Sequence, residues 1–268
     1  MVSKRLARME ARLGAQLLRR STRRMMLTDA GARFHDEVVA ILAAAEAAEA
    51  RLSGRTRAPG GSLTITAPTS FGRVHVAPVV AHFVRLYPQV AVRLDLSDAF
   101  TDLLANRVDL AIRITGTVPP SLVAERIADS RRVLCAAPAY LRDRGTPARV
   151  ADLARHDLLA ADGQLPWRLA GTAGARMVRG TSLVATDSSE MVRELALAGL
   201  GIALRSLWDV DADLAAGRLV RILPELAGSA DVGIYAVRPP GAQVAAAVEA
   251  FIAALRDAFG PLPPWERG

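Results

Sequence analysis

The run Ala58-Pro59-Gly60-Gly61 divides the chain into two stretches with different residue patterns. A proline followed by paired glycines breaks both helix and strand, so it reads as a linker. Before it, apolar residues recur every three or four positions, the spacing of helices. After it, short apolar or alternating runs take turns with helical runs, which implies strands joined by helical crossovers. A chain of 268 residues can hold a small front unit and an α/β body with its own core.

The two stretches also differ in charge. Residues 1–58 hold twelve Lys/Arg against six Asp/Glu, nearly all of the net +7. A basic front on a near-neutral body suggests two jobs on one polypeptide. The partner of such a front is a polyanion, nucleic acid ahead of an anionic membrane; a solvated basic surface is the alternative. No apolar run has the length of a membrane helix, and no apolar stretch follows the basic N-terminus as a secretory signal requires. The single cysteine, Cys135, excludes a disulfide framework and a multi-cysteine zinc site.

Within the front, Leu6, Met9 and Leu13 share one face of a helix over 2–13, with Lys4, Arg5, Arg8 and Arg12 around the rest and Gly14 as its stop. Apolar pairs then flank the polar block Arg19–Arg24. That pattern predicts a small hairpin with Arg19, Arg20, Arg23 and Arg24 at its tip and Ser21-Thr22 in the turn. Thr28 is an N-cap for a second helix. In that helix Phe34, Val38, Ile41, Ala45, Ala48 and Leu52 step by four and three, a heptad seam suited to pairing with another helix. Packing within its own domain is the alternative.

The body predicts a strand at 62–66, a helix from about Gly72 to Leu86, a strand over Ala91–Leu96, a short helix over Thr101–Asn106 and a strand over Asp109–Ile114. That order implies a parallel sheet. Further strands are expected at 132–137, 182–185, 201–204, 219–223 and 233–237, and helices at 188–198 and 244–259. The tail PLPPWERG is expected to be loose.

Catalytic motifs are scarce. There is no G-x-S-x-G, P-loop or H-E-x-x-H. Gly199-Leu200-Gly201 is half a dinucleotide fingerprint and follows a helix instead of a strand. The four histidines, at 35, 75, 82 and 156, show no ligand spacing, and Cys135 reads as an inert core thiol. No enzyme activity, metal or cofactor is expected. Binding features are better placed. Ligands of α/β sheets collect at strand C-termini, where helix starts point free N–H groups. Thr69-Ser70, Phe100-Thr101, Thr115 and Asp187-Ser188 all fall at such turns. For any one of them plain helix capping suffices; four on one edge suggest a pocket for a small polar or anionic ligand, with a carboxylate as the default. Asp187 would repel an anion, so it either caps its helix or the ligand carries an amine or hydroxyl.

The stretch VSKRLARMEARLGAQLLRRSTRRMMLTDAGARF resembles the recognition helix, wing and linker-helix start of LysR-type transcriptional regulators. DLAIRITGTVPPSLVAERIADSRRVLCAAPAYL and ATDSSEMVRELALAGLGIAL are similar to the body of one branch of that family. The resemblance implies an α/β fold with a two-lobed effector domain like periplasmic binding proteins. Ahead of it would stand a partial winged helix-turn-helix (1–27) and a dimerising linker helix (28–57). The effector domain would span 58–268, with lobe I at about 62–132 plus 236–260 and lobe II at about 133–235. Two strands are expected to cross between lobes, near Ser130–Leu134 and Gly233–Arg238.

The family's helix-turn-helix has two further helices ahead of the recognition helix. Either the start was assigned too late, or the DNA-binding head is truncated.

The implied function is a cytoplasmic DNA-binding regulator, a homodimer or homotetramer on double-stranded DNA, modulated by a small molecule between the lobes. Ser3, Lys4 and Arg8 are the helix candidates for DNA contact, and Arg20, Thr22, Arg23 and Arg24 the wing candidates. Effector candidates are Thr69, Ser70, Phe100, Thr101, Thr115 and Asp187; dimer candidates are the six seam residues. The alternatives are a truncated regulator acting through mixed dimers and a solute-binding protein.

Overall fold

The computed structural model describes residues 2–20, 25–35, 37–38, 41, 59–99, 103, 105–171, 174–228, 232–240 and 245–267. The chain forms two compact units, Met1–Ala58 and Pro59–Gly268.

The first unit opens with α1 (Val2–Leu13). A hairpin of β1 (Leu18–Arg20) and β2 (Met25–Leu27) follows, with Leu18 opposite Leu27 and Arg20 opposite Met25. The helix α2 is seen at 29–35. Side chains from both helices clamp the hairpin base. Glu10 Oε1 of α1 accepts the Leu17 and Leu18 amides at 2.8 and 3.1 Å. The Thr28 hydroxyl accepts the Gly31 amide at 2.9 Å, the N-cap expected of it, and donates to the Gln16 carbonyl at 2.5 Å. Gly31 is forced by this approach, because a Cβ there would overlap the Leu17 carbonyl oxygen. Leu6 and Met9 are half-buried and Leu13 is exposed.

The second unit has two lobes. Lobe I is a five-stranded sheet. Its strands are β3 (Gly61–Ala67), β4 (Val90–Leu96), β5 (Leu110–Thr115), β6 (Val123–Asp129) and the late strand β14 (Gly233–Arg238), in the order β4-β3-β5-β14-β6. The β3, β4 and β5 strands are parallel, as expected. The sheet is nonetheless mixed, because β14 returns antiparallel between β5 and β6. One continuous helical segment follows β3: α3 (Thr69–Phe71), a π turn (Gly72–Val76) and α4 (Ala77–Leu86). It packs with α8 (Ala246–Phe259) over a core that includes Leu63, Ile65, Phe83 and Phe251. Residues 105–107, where a short helix was expected, form a turn.

Lobe II is built on β7 (Arg132–Ala136), β8 (Leu158–Leu159), β11 (Ile202–Ser206) and β12 (Val220–Ile222), in the order β12-β7-β11-β8. A smaller sheet joins β9 (Trp167–Gly171), β10 (Gly174–Val178) and β13 (Ala227–Gly228). The period-2 alternation of β7 feeds two cores: Leu134 and Ala136 face one, Val133 and Cys135 the other. The helices α5 (Pro138–Arg144), α6 (Ser189–Leu197) and α7 (Leu207–Ala215) complete the lobe. The strand expected at 182–185 reduces to one bridge between Ser182 and Leu158. Residues 183 and 184 bend away after the bridge.

The lobes are joined near Ser130, between β6 and β7, and near Val232, before β14. Those two crossings hydrogen-bond each other, Ser130 N–H donating to the Val232 carbonyl at 3.1 Å. Thus β7 and β14 each belong to one lobe, and the short segments beside them cross. The helix α7 stitches the lobes as well: Val210 lies in a lobe II core and Trp208 in the lobe I core. The tail is docked. Trp265 is buried in the lobe I core against Phe71, His75 and Phe259. Burial of an indole outweighs the looseness that Pro-rich composition suggests. Among the described residues no helix is long and apolar enough to cross a membrane.

Candidate ligand cleft

A cleft of about 290 Å³ opens between the lobes. Lobe I contributes Pro68, Ser70, Asp98, Ile114 and Thr115; lobe II contributes Arg132, Gln164, Ser189, Leu204, Arg205 and Ser206. Trp208 and Val232 close the hinge side. The volume is at the small end of ligand sites, which suits a molecule of few heavy atoms.

Local structure explains each wall. Ser70 sits where β3 turns into the helical segment; the residue is 4% exposed and its hydroxyl has no partner. The Thr69 amide beside it donates to Asp98 Oδ1 at 2.7 Å, so Asp98 caps this turn from the loop after β4. Thr115 ends β5 and spends its hydroxyl on Thr117, donating to the carbonyl and accepting the amide. Across the cleft, Gln164 Nε2 donates to Ser189 Oγ at 2.8 Å, fixing the start of α6. Arg205 is buried and neutralised: its Nε and Nη2 both donate to Asp209 Oδ2, at 2.9 and 2.6 Å. Arg132 is different. Its Nε is buried without a partner, and burial together with the nearby Arg205 charge lowers its pKa from the usual arginine range.

The floor is a polar hinge. Trp208 Nε1 donates to Ser130 Oγ, which pairs with Ser206 Oγ, both at 3.2 Å. His75 Nε2 lies 2.8 Å from the Trp208 carbonyl and donates to it. Burial lowers the His75 pKa despite that bond.

Of the sequence-predicted ligand residues, the cleft brings together Ser70 and Thr115, with Thr69 adjacent. Phe100 and Thr101 lie outside the described residues. Asp187 is exposed and absent from the lining; the α6 cap is Ser188, whose hydroxyl accepts the Met191 amide at 3.3 Å. Sequence reading missed Arg132, Gln164, Arg205 and Ser206. Arg205, four residues before Asp209, was the one with a readable signal, an i,i+4 pair at a strand-to-helix turn. In the first unit, Arg8 is exposed on α1, Ser3 and Lys4 belong to the same helix, and Arg20 lies in β1. Thr22, Arg23 and Arg24 lie outside the described residues. Of the seam, Phe34 and Val38 are half-buried and Ile41 is 65% exposed; Ala45, Ala48 and Leu52 are outside the described residues. Among the described residues no group of three or more His, Cys, Asp or Glu could hold a metal.

Comparison with known proteins matches this division. The LysR substrate binding domain matches residues 56–260, and the bacterial regulatory helix-turn-helix protein of the lysR family matches residues 1–32. The HTH-type transcriptional regulator DmlR of Escherichia coli is 36% identical over 242 residues, covering 88% of this chain and 79% of that protein. PtxR of Pseudomonas aeruginosa, another HTH-type transcriptional regulator, is 34% identical over 268 residues, covering 98% and 85%. Among solved structures, the LysR-type regulator CrgA of Neisseria meningitidis aligns with a TM-score of 0.67 at 28% identity, covering 97% of this chain and 89% of that one. The full-length Vibrio cholerae virulence activator AphB aligns with a TM-score of 0.67 at 25% identity, covering 95% and 88%. The chain, with its helix-and-wing front and two-lobed body, belongs to the LysR family of transcriptional regulators, not to a family of enzymes.

Proposed function

We propose that this regulator binds double-stranded DNA through α1 and the β1–β2 wing, and that a small molecule in the interlobe cleft changes that binding. One observation carries the reading. The cleft is walled by both lobes and holds the buried, unpartnered Ser70 hydroxyl. A ligand that satisfies groups on both walls ties the lobes together, so its binding energy favours one lobe arrangement over another.

Ser3, Lys4 and Arg8 are the proposed helix contacts and Arg20, Thr22, Arg23 and Arg24 the wing contacts, to bases or backbone. Phe34, Val38, Ile41, Ala45, Ala48 and Leu52 are the proposed seam between two copies, in a homodimer or homotetramer. Ile41 supports this, since a large aliphatic side chain 65% exposed in one chain gains by being covered. Ser70, Thr115 and Thr69 are the proposed effector contacts, with Phe100, Thr101 and Asp187 as further candidates. The unit boundary at Ala58 supports a head and linker helix (1–57) ahead of an effector domain (58–268). The protein acts in the cytoplasm, where its DNA is.

The test is immunoprecipitation of the regulator with its bound DNA from its own cells, followed by sequencing. Wild type is expected to enrich discrete sites, and a variant with Arg23→Glu and Arg24→Glu to lose them at every site, since phosphate contacts act at all sequences. Equal enrichment by both would remove the wing from the interface.

A further inference from the structure

The cleft holds two cationic side chains in unlike circumstances, Arg205 buried and Arg132 half-buried. Arg205 is matched by Asp209 through two hydrogen bonds. The Arg132 Nε, by contrast, is buried and has no hydrogen-bond partner. The carboxylate in the lining, Asp98, is exposed and already accepts the Thr69 amide. A charged group's N–H withdrawn from water without a partner is costly, and a ligand that accepts from it removes that cost.

The body is shaped to keep Arg132 there. Gly228 in β13 lies under its side chain. A Cβ on residue 228 would come within 2.7 Å of the Arg132 Cβ and 2.9 Å of its Nε. Any other residue at 228 would force the Arg132 side chain or β13 to shift. On the opposite wall, the Ser70 hydroxyl is the second buried polar group without a partner.

Resting on the effector reading above, we propose that the ligand is a small carboxylate, with Arg132 as the residue that pairs with its charge, Ser70 as its partner on lobe I, and Gly228 as the positioning residue for Arg132. A guanidinium edge offers two parallel N–H donors to the two oxygens of a carboxylate, a match that lysine cannot make. The cleft of about 290 Å³ limits the acid to a few carbons or a single ring.

The experiment is calorimetry on the full chain with succinate, lactate and benzoate, with the corresponding amides, and with inorganic phosphate. The proteins are wild type, Arg132→Gln, Arg132→Lys and Gly228→Ala. At least one acid is expected to bind wild type while its amide and phosphate do not. Arg132→Gln should weaken that acid roughly ten- to hundredfold, the range for losing a charge-assisted hydrogen bond. Arg132→Lys should recover part of the loss. Gly228→Ala, which keeps the charge but displaces it, should also weaken binding. Unchanged circular dichroism in Gly228→Ala and Arg132→Lys separates these effects from misfolding. An amide that binds as tightly as its acid, or an Arg132→Gln variant with wild-type affinity, overturns the assignment of Arg132 and leaves the effector reading standing. Binding by phosphate alone overturns the carboxylate. If no acid binds, the carboxylate assignment falls, and the effector reading is judged separately by whether filling the cleft abolishes the DNA response.

Discussion

Arg73 Nη2 donates to Glu190 Oε1 at 2.8 Å, an ion pair between residues 117 apart in the chain. Arg73 belongs to the helical segment after β3 in lobe I, and Glu190 to the first turn of α6 in lobe II. The bond therefore spans the two lobes beside the cleft. Its partners are 59% and 35% exposed, so solvent screens it and its worth is small. A double-mutant cycle of Arg73→Ala and Glu190→Ala, read by urea unfolding, should give a coupling below about 1 kcal/mol. Near 1 M salt, where screening acts over roughly 3 Å, the coupling should vanish. A coupling of several kcal/mol would mean that the lobes are locked by this pair.

Asp213 should behave in the opposite way. It is fully buried in α7, and its two oxygens accept from Arg193 Nε at 2.8 Å and Arg218 Nε at 2.9 Å. Replacing it by alanine strips the largely buried Arg193 of its buried carboxylate and leaves it Glu194, which is 56% exposed. Asp213→Ala should destabilise the chain by about 3 kcal/mol or more, the cost of breaking a buried pair from one side. Chemical unfolding measures it.

Cys135 lies in the core of lobe II with its thiol pKa pushed up to about 12 by burial. Only the thiolate reacts, and at neutral pH almost none is present. Iodoacetamide should leave the native protein unlabelled and label it once in denaturant. Rapid native labelling would show that lobe II opens far more readily than its packing implies.

His75 sets an acid limit on stability. Its folded pKa is lowered from 6.5 by burial, against the opposing bond to the Trp208 carbonyl and the charges of Asp211 and Asp209. The unfolded chain therefore takes up the proton first as pH falls. The contribution to stability is present above the ordinary histidine pKa and is lost as pH drops through 6.5 toward the folded value. The fall in Tm between pH 7 and pH 5 should be smaller in His75→Gln than in wild type. His156, lowered mainly by burial and by the Arg144 charge, leaves a residual dependence in both.

Much of this was readable from local pattern. The N-cap at Thr28, the alternation of β3 and the apolar run of β7 depend on neighbours within a few residues, and each appears where expected. The cleft was read only by half. Ser70 and Thr115 announce themselves as hydroxyls at strand ends, and Asp187 carries the same signal, yet Ser188 takes the cap and leaves Asp187 exposed. Arg132 looks no different in sequence from Arg131 beside it. Arg131 is exposed and pairs with the mostly buried Glu266, while Arg132 lines the cleft and begins β7 over the gap left by Gly228. That gap comes from a residue 96 positions later, which no local pattern can reveal. The tail was misread for the same reason, since Trp265 is held by aromatic rings distant in the chain.

The central claim is that occupancy of the cleft changes DNA binding. The most direct measurement is the affinity of the full-length regulator for a DNA fragment recovered by immunoprecipitation, by fluorescence anisotropy, with and without the small-molecule fraction of its own cells. Wild type and a cleft-filled variant, Ser189→Trp, are compared. The account predicts that the fraction shifts the wild-type affinity by about fivefold or more, the usual scale of coupling between sites. The filled variant should bind the DNA and ignore the fraction. An equal response from both proteins, or none from either, would contradict it.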